Sequence, residues 1–164
     1  MLKQVVSGGQ TGVDRAALDV ALEAGIPCGG WCPRGRTAED GRLPSRYPLW
    51  ETPSDSYAQR TEWNVRDSDG TLILTRGDLE GGTALTEKCA GKLGKSCLII
   101  DLAGAPAPEL VLDWLREHRI GVLNVAGPRE SGCLGIYREA VHFLSRVWRA
   151  ERREPPGEAP KERS

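Results

Sequence analysis

A mainly parallel α/β sheet with helices on both faces is the fold class this sequence predicts, and three observations carry it. Short β-branched or apolar runs alternate with segments of helical spacing along the chain, which is the rhythm of repeated βα units. Gly70-Thr71-Leu72-Ile73-Leu74 is continuously apolar after its first two residues, as a strand covered on both faces requires. Glycine-bearing turns follow three of the strands, at the carboxyl ends where an open parallel sheet keeps its ligand crevice.

The first unit is a strand from Lys3 to Val6, the turn Ser7 to Gly12, and a helix whose apolar positions are Val13, Ala17, Val20 or Ala21, and Ala24. Thr11 is the expected N-cap, with Asp14 three residues on as a variant capping box, and Gly25-Ile26-Pro27 closes the helix. A short strand follows over Ile26 to Gly29. From Trp31 to Pro53 no periodicity is visible, so the segment is expected to be a long structureless loop, held down by Trp31, Tyr47 and Trp50. Ser54 or Asp55 is the expected cap of a helix from Tyr57 to Asp67, on which Arg60, Asn64 and Asp67 share one face that is either solvated or lines a site.

After the buried strand Gly70 to Leu74, Gly81-Gly82-Thr83 opens a helix over Ala84 to Leu93 with Thr83 as its expected cap. A strand at Ser96 to Ile100, a helix from Pro108 to His118 with Leu110, Trp114 and Leu115 apolar, and a strand at Gly121 to Val125 continue the pattern. Gly127 to Gly132 is the third glycine-bearing turn, and Tyr137, Val141, Leu144 and Trp148 stripe the last helix. Residues 1–149 read as one ligand-binding domain, and the charged, proline-bearing 150–164 as a disordered tail.

With 22 basic against 23 acidic residues and a formal net charge of −1, the chain has no general drive toward nucleic acid or anionic membranes, so any electropositive site is local. No apolar run reaches the length of a membrane span, and the chain enters its first strand without a signal-peptide pattern, so a cytoplasmic protein is expected. Five cysteines are an odd number, and the CxxxC spacing of Cys28 and Cys32 with only two histidines in the chain argues for reduced, buried thiols over zinc.

Glycine turns that enter helices suit anions, because backbone can approach the ligand and the helix start offers unpaired N–H groups and a positive dipole end. Gly8, Gly9, Gln10, Thr11 and Gly12 are therefore candidate donors to an oxyanion, with Asp14 meeting a ribose hydroxyl or balancing Arg15. This stretch fits neither GxxxxGK[ST] nor GxGxxG. Gly81 and Gly82 exceed what a cap needs, so with Thr83 they are candidates for close contact with a phosphate or similar anion. Arg34, with Arg36, Arg42 and Arg46, reads as a lid over the site, and Arg129 beside Ser131 as a further anion contact. Cys133, His118 and His142 form no nucleophile–base arrangement in the sequence.

The runs SGGQTGVDRAALD, GGWCPRGRTAEDG, RTEWNVRDSDGTLIL, GGTALT and NVAGPRES closely resemble, in order, the putative molybdenum carrier family, a permuted relative of the superfamily that includes the lysine-decarboxylase-like cytokinin-activating phosphoribohydrolases. The resemblance implies a Rossmann-like αβα sandwich with a mainly parallel sheet of about five strands. It also implies a homo-oligomer with a pocket for molybdenum cofactor, a molybdate-like oxyanion or a nucleotide. On this reading the partner is a small anionic ligand, with no nucleic acid and no membrane. Arg60 is similar to a catalytic arginine of the enzyme relatives. Their glutamate has no exact counterpart: Glu87 falls one residue late, rotated by about 100° on the helix. Three functions follow: a carrier for a molybdenum oxyanion or cofactor, a phosphoribohydrolase-like enzyme with Arg60 and Glu87 or Asp14 as polar catalysts, and a nucleotide-sensing binding module.

Overall fold

The computed structural model describes residues 2–153. The chain runs β1 (Gln4–Val6), α1 (Val13–Ala24) and β2 (Cys28–Gly29), then four two-residue strands, β3 (Trp31–Cys32), β4 (Thr37–Ala38), β5 (Gly41–Arg42) and β6 (Trp50–Glu51). It continues through α2 (Tyr57–Arg66), β7 (Gly70–Thr75), α3 (Gly81–Leu93), β8 (Ser96–Asp101), α4 (Glu109–Glu117), β9 (Val122–Ala126) and α5 (Ile136–Arg153). The main sheet has five strands in the order β2-β1-β9-β7-β8, all parallel. Because β9, the last strand in sequence, lies between β1 and β7, the loops leaving those three strands emerge side by side at the carboxyl edge. This is a Rossmann-like sandwich, and the edge where its strand order reverses is where such sheets hold ligands.

The two faces of the sheet differ in chemistry. Val5, Leu72, Leu74, Leu123 and Val125 are at most 1% exposed and pack with α1, α4 and α5 into the main core. Alternation turns Thr71, Ile73, Thr75 and Asn124 to the opposite face, under α2 and α3. There Asn124 donates to the Thr71 hydroxyl at 3.2 Å, and most of the buried groups are polar. Burying polar groups is tolerated only where they are hydrogen-bonded or reached by ligand or water, so this face is built for a site more than for adhesion. Among the described residues no helix is long and apolar enough to cross a membrane.

Several boundaries depart from the sequence expectation. The segment from Trp31 to Pro53 is not structureless: it carries β3 to β6 and a second small core of Leu18, Cys32, Ala38, Leu43, Tyr47 and Leu49. Arg36 organises it, donating from Nη1 to Leu49 O at 3.0 Å and from Nη2 to Pro44 O and Tyr47 O at 2.9 Å each. Trp50 does not hold the loop down; it is 74% exposed. Gly12, not Thr11, is the N-cap of α1; Ser56, not Ser54 or Asp55, caps α2 by accepting from Ala58 N at 3.2 Å. Helix α3 starts at Gly81 behind an N-cap at Glu80, so Thr83 sits inside the first turn and caps nothing. In α4, Val111 and Leu112 are buried beside Trp114 and Leu115, and Leu110 faces out. Helix α5 runs to Arg153, past the expected start of the tail; the rest of that tail lies outside the described residues.

Candidate functional site

A cleft of about 720 Å³ opens at the carboxyl ends of β1, β9 and β7, between α2 and α3. Of the residues marked in the sequence, Gly8, Gln10, Asp14, Arg60, Asn64, Gly81, Gly82, Thr83 and Arg129 line it. Gly9, Thr11, Gly12, Arg34 and Glu87 do not.

The open end of the cleft is the start of α3. A Cβ built on Gly81 or Gly82 meets nothing within 4 Å, so no protein atom demands glycine at Gly82, and only the backbone of Gly81, at φ +51°, favours it. The N–H groups of these first helical residues have no carbonyl one turn back to bond, and the helix dipole adds positive potential there. Thr83 follows at 6% exposure, with no hydrogen-bond partner for its hydroxyl among the described residues, and it lines the cleft. The hydroxyl is not among the fully buried, unpartnered side-chain atoms, so it opens on the cleft and is available to what enters it. One turn on, Thr86 spends its hydroxyl on Gly82 O at 2.8 Å.

The first glycine turn is built differently, because its space is filled by the protein itself. A Cβ on Gly8 would lie 2.2 Å from Arg60 Nη1, and one on Gly12 would lie 2.2 Å from Pro128 O. Most of its donors are also spent: Gly9 N donates to Ser7 Oγ at 3.3 Å, Gln10 N to Asp14 Oδ2 at 3.4 Å and Thr11 N to Gln10 Oε1 at 3.0 Å, while Val13 N, just beyond it, donates to Pro128 O at 3.2 Å. The carboxylate of Asp14 already answers the amino end of α1. These glycines serve close packing of turn against helix, and Gly8 to Gly12 do not present an unbroken row of free donors.

Arg60 is placed by α2 over that turn. Its Nη1 donates to Gly8 O at 2.8 Å and lies 3.4 Å from Asp14 Oδ2, its Nε donates to Tyr57 O at 3.3 Å, and the residue is 9% exposed. Its Nη2 has no partner among the described residues and is free for a ligand. Asp14 thus pairs with Arg60; Arg15 turns instead to Asp40 at 2.9 and 3.0 Å. Burial pushes the Asp14 carboxyl up to about 6, against the opposing pull of Arg60 and the Gln10 amide.

Asn64 lines the cleft but clamps the neighbouring loop, accepting from Trp31 N at 2.8 Å and donating to Trp31 O at 2.9 Å. Asp67, on the same helix face, is exposed and accepts the Trp31 indole N–H at 2.8 Å. The loop arginines form no lid: Arg34 is exposed away from the cleft, Arg36 staples the loop, Arg42 reaches Gly35 O, and Arg46 stacks on Tyr47. Glu87 is exposed beside Cys97, turned away from the cleft by the rotation that separates it from Thr86.

Sequence reasoning missed Arg76, Asp78, Glu80, Thr86, Asn124 and Cys133 as lining residues. One signal was available: Asn124 is polar at the centre of the strand Val-Leu-Asn-Val-Ala, an anomaly in a buried parallel strand. Arg76 pairs with Glu139 at the rim. With Arg60, Arg76 and Arg129 set against Asp14, Asp78 and Glu80, the lining is close to charge-balanced, so its positive potential is local, at the helix start and at single guanidinium edges.

Residues 5–148 match the model of the circularly permutated YpsA SLOG family. A solved structure from Syntrophus aciditrophicus, described as a putative molybdenum carrier protein, is 49% identical and superposes with a TM-score of 0.87, covering 89% of this chain and 94% of that one. No curated protein matches the chain.

Proposed function

We propose, from the premise that this chain belongs to the circularly permutated YpsA SLOG family, that its cleft binds an oxyanion at the start of α3 and that the protein carries molybdenum as molybdate or as the molybdenum cofactor. The observation that carries the binding half is the open cradle at Gly81 and Gly82 beside the unpaired Thr83 hydroxyl. That donor set suits a tetrahedral oxyanion or the phosphate of a larger ligand. The choice of molybdenum as cargo is supported by the description of the 49% identical neighbour. The cleft far exceeds a bare oxyanion in size, leaving room for a pterin or nucleotide body that reaches the free Nη2 of Arg60. A lining without excess positive charge is suited to a protein that must release what it binds.

Thermal-shift titration with molybdate, tungstate, molybdopterin, AMP and ribose 5-phosphate tests the reading. A ligand at one hundred times its Kd stabilises by about 2.7 kcal/mol, and Thr83→Val should reduce that response. Silence from all five ligands would sink it. A second reading, hydrolysis of nucleoside monophosphates, is favoured by one observation: Asp14 sits beside Arg60 with its carboxyl near 6, in the range of a general acid or base. It predicts release of free base that Asp14→Asn abolishes and Glu87→Gln leaves unchanged.

A further inference from the structure

The tip of the β4–β5 hairpin is two consecutive acids: Glu39 is inserted among donors of the first and third glycine turns, and Asp40 meets Arg15 of α1. Glu39 Oε1 accepts from the Thr11 hydroxyl and from Ser131 N at 3.2 Å. Its Oε2 accepts from the Ser131 hydroxyl at 2.5 Å and lies 3.8 Å from Arg129 Nε. The Glu39 N–H donates to Gln10 Oε1 at 2.9 Å, while Asp40 takes both terminal nitrogens of Arg15. The hydroxyls of Ser131 and then Thr11 hold the Glu39 carboxyl below the usual carboxylate range.

Two hydroxyls, a backbone N–H and a guanidinium converging on one carboxylate make the set of donors with which proteins bind free anions. Here they come from two separate turns, and the anion is tethered to the chain by a hairpin of two-residue strands. Within that hairpin only Ala38 is buried, so lifting it off exposes little apolar surface. Arg129 also lines the main cleft, which makes the cluster contiguous with it.

We propose that Thr11, Arg129 and Ser131 form a second oxyanion subsite at the rim of the cleft, and that Glu39 is its resident, displaceable anion. A phosphate- or carboxylate-bearing ligand seated there releases the hairpin. The subsite uses none of the α3 donors and stands apart from the carrier reading.

The test compares full-length wild type, Glu39→Ala and Glu39→Ala/Ser131→Ala, titrated with inorganic phosphate and with acetate. Thermal shift reports binding, and amide exchange of residues 37–42 reports the hairpin. Removing the tethered competitor should tighten phosphate binding about tenfold or more, the scale of a charge-assisted contact. Acetate should also stabilise Glu39→Ala by replacing the missing carboxylate. The gain should vanish in the double variant, in which the α3 donors are intact. In wild type, phosphate at about one hundred times the Kd of Glu39→Ala should speed exchange in the hairpin. If Glu39→Ala does not fold, Glu39→Gln takes its place, with a smaller gain expected because the amide keeps one acceptor. Equal affinity of variant and wild type, a gain that survives Ser131→Ala, or unchanged hairpin exchange overturns the proposal.

Discussion

Gly82→Ala separates the two roles a glycine can have at a helix start. An added Cβ meets no atom within 4 Å, and Gly82 lies in the first turn of α3, so nothing in the ligand-free protein resists the methyl group. Replacing such a glycine restricts the unfolded chain and stabilises by about 0.4–1 kcal/mol. For a domain of this size that corresponds to about 1–4 °C in Tm. The same methyl group fills the space over the first-turn N–H groups, where the anion is proposed to sit. Losing one charge-assisted contact costs about 1.5–3 kcal/mol, which is roughly tenfold or more in Kd. Stability and affinity should therefore move in opposite directions, read by ligand-free melting and by titration with molybdate or whichever oxyanion binds wild type. Gly8→Ala is the contrast, since its Cβ would collide with Arg60 Nη1 and lower the melting temperature without any ligand. If Gly82→Ala melts higher but binds as wild type does, the anion is not at α3; if it melts lower, the cradle is not open.

Three further outcomes follow from the buried polar groups. Asp14 has a folded pKa of about 6, raised from 3.8 by burial, so its contribution to stability is present below about pH 4 and is lost as pH rises through 6. At 1.36 kcal/mol per unit the loss is up to about 3 kcal/mol. Urea unfolding of wild type and Asp14→Asn should diverge across pH 4 to 6 and run parallel above 7, whereas a constant difference would contradict the assignment. Arg60→Ala leaves Gly8 O without its donor and Asp14 without its pair, so the ligand-free fold should weaken by roughly 1–3 kcal/mol. Denaturation midpoints measure this, and an unchanged midpoint would show that water replaces the guanidinium. Asp19 receives the hydroxyls of Tyr47 at 2.5 Å and Tyr137 at 2.6 Å, tying the long loop and α5 to α1. Ultraviolet titration should find the Tyr137 phenol near 12, held up by its burial and by Asp19, and Asp19→Ala should return it toward 10.

How much of the site was readable depended on whether a residue's role was local. Gly81-Gly82-Thr83 could be identified because a paired glycine at a helix start has a local meaning, and the structure keeps all three in the cleft. Asn64 and Arg60 were recognisable as sharing a helix face, but whether that face met solvent or a site depended on where α2 packs. Thr11 looked like a cap because capping is judged over three residues; it is instead engaged by Glu39 and Glu130, the latter donating its N–H at 3.1 Å across 119 positions. Arg76 and Cys133 carried no local signature.

The alternation of strand and helix, the strand-to-helix glycine turns and the stripe of α5 are written in periods of two and 3.6. That is why the sequence alone determined a parallel α/β sandwich and pointed to the edge on which the cleft opens. It could not show that β9 inserts between β1 and β7, which brings the three turns together, because strand order depends on contacts between residues far apart in the chain. Nor could it show that the loop from Trp31 to Pro53 folds around Leu43, Tyr47 and Leu49, whose spacing matches no regular period. The tertiary structure also decided between two glycine turns that look alike in sequence. Arg60 and Pro128 fill the one at Gly8 to Gly12, while nothing approaches Gly81 and Gly82. Whether space beside a glycine is occupied depends on what packs there from elsewhere in the chain, and only the folded chain supplies it.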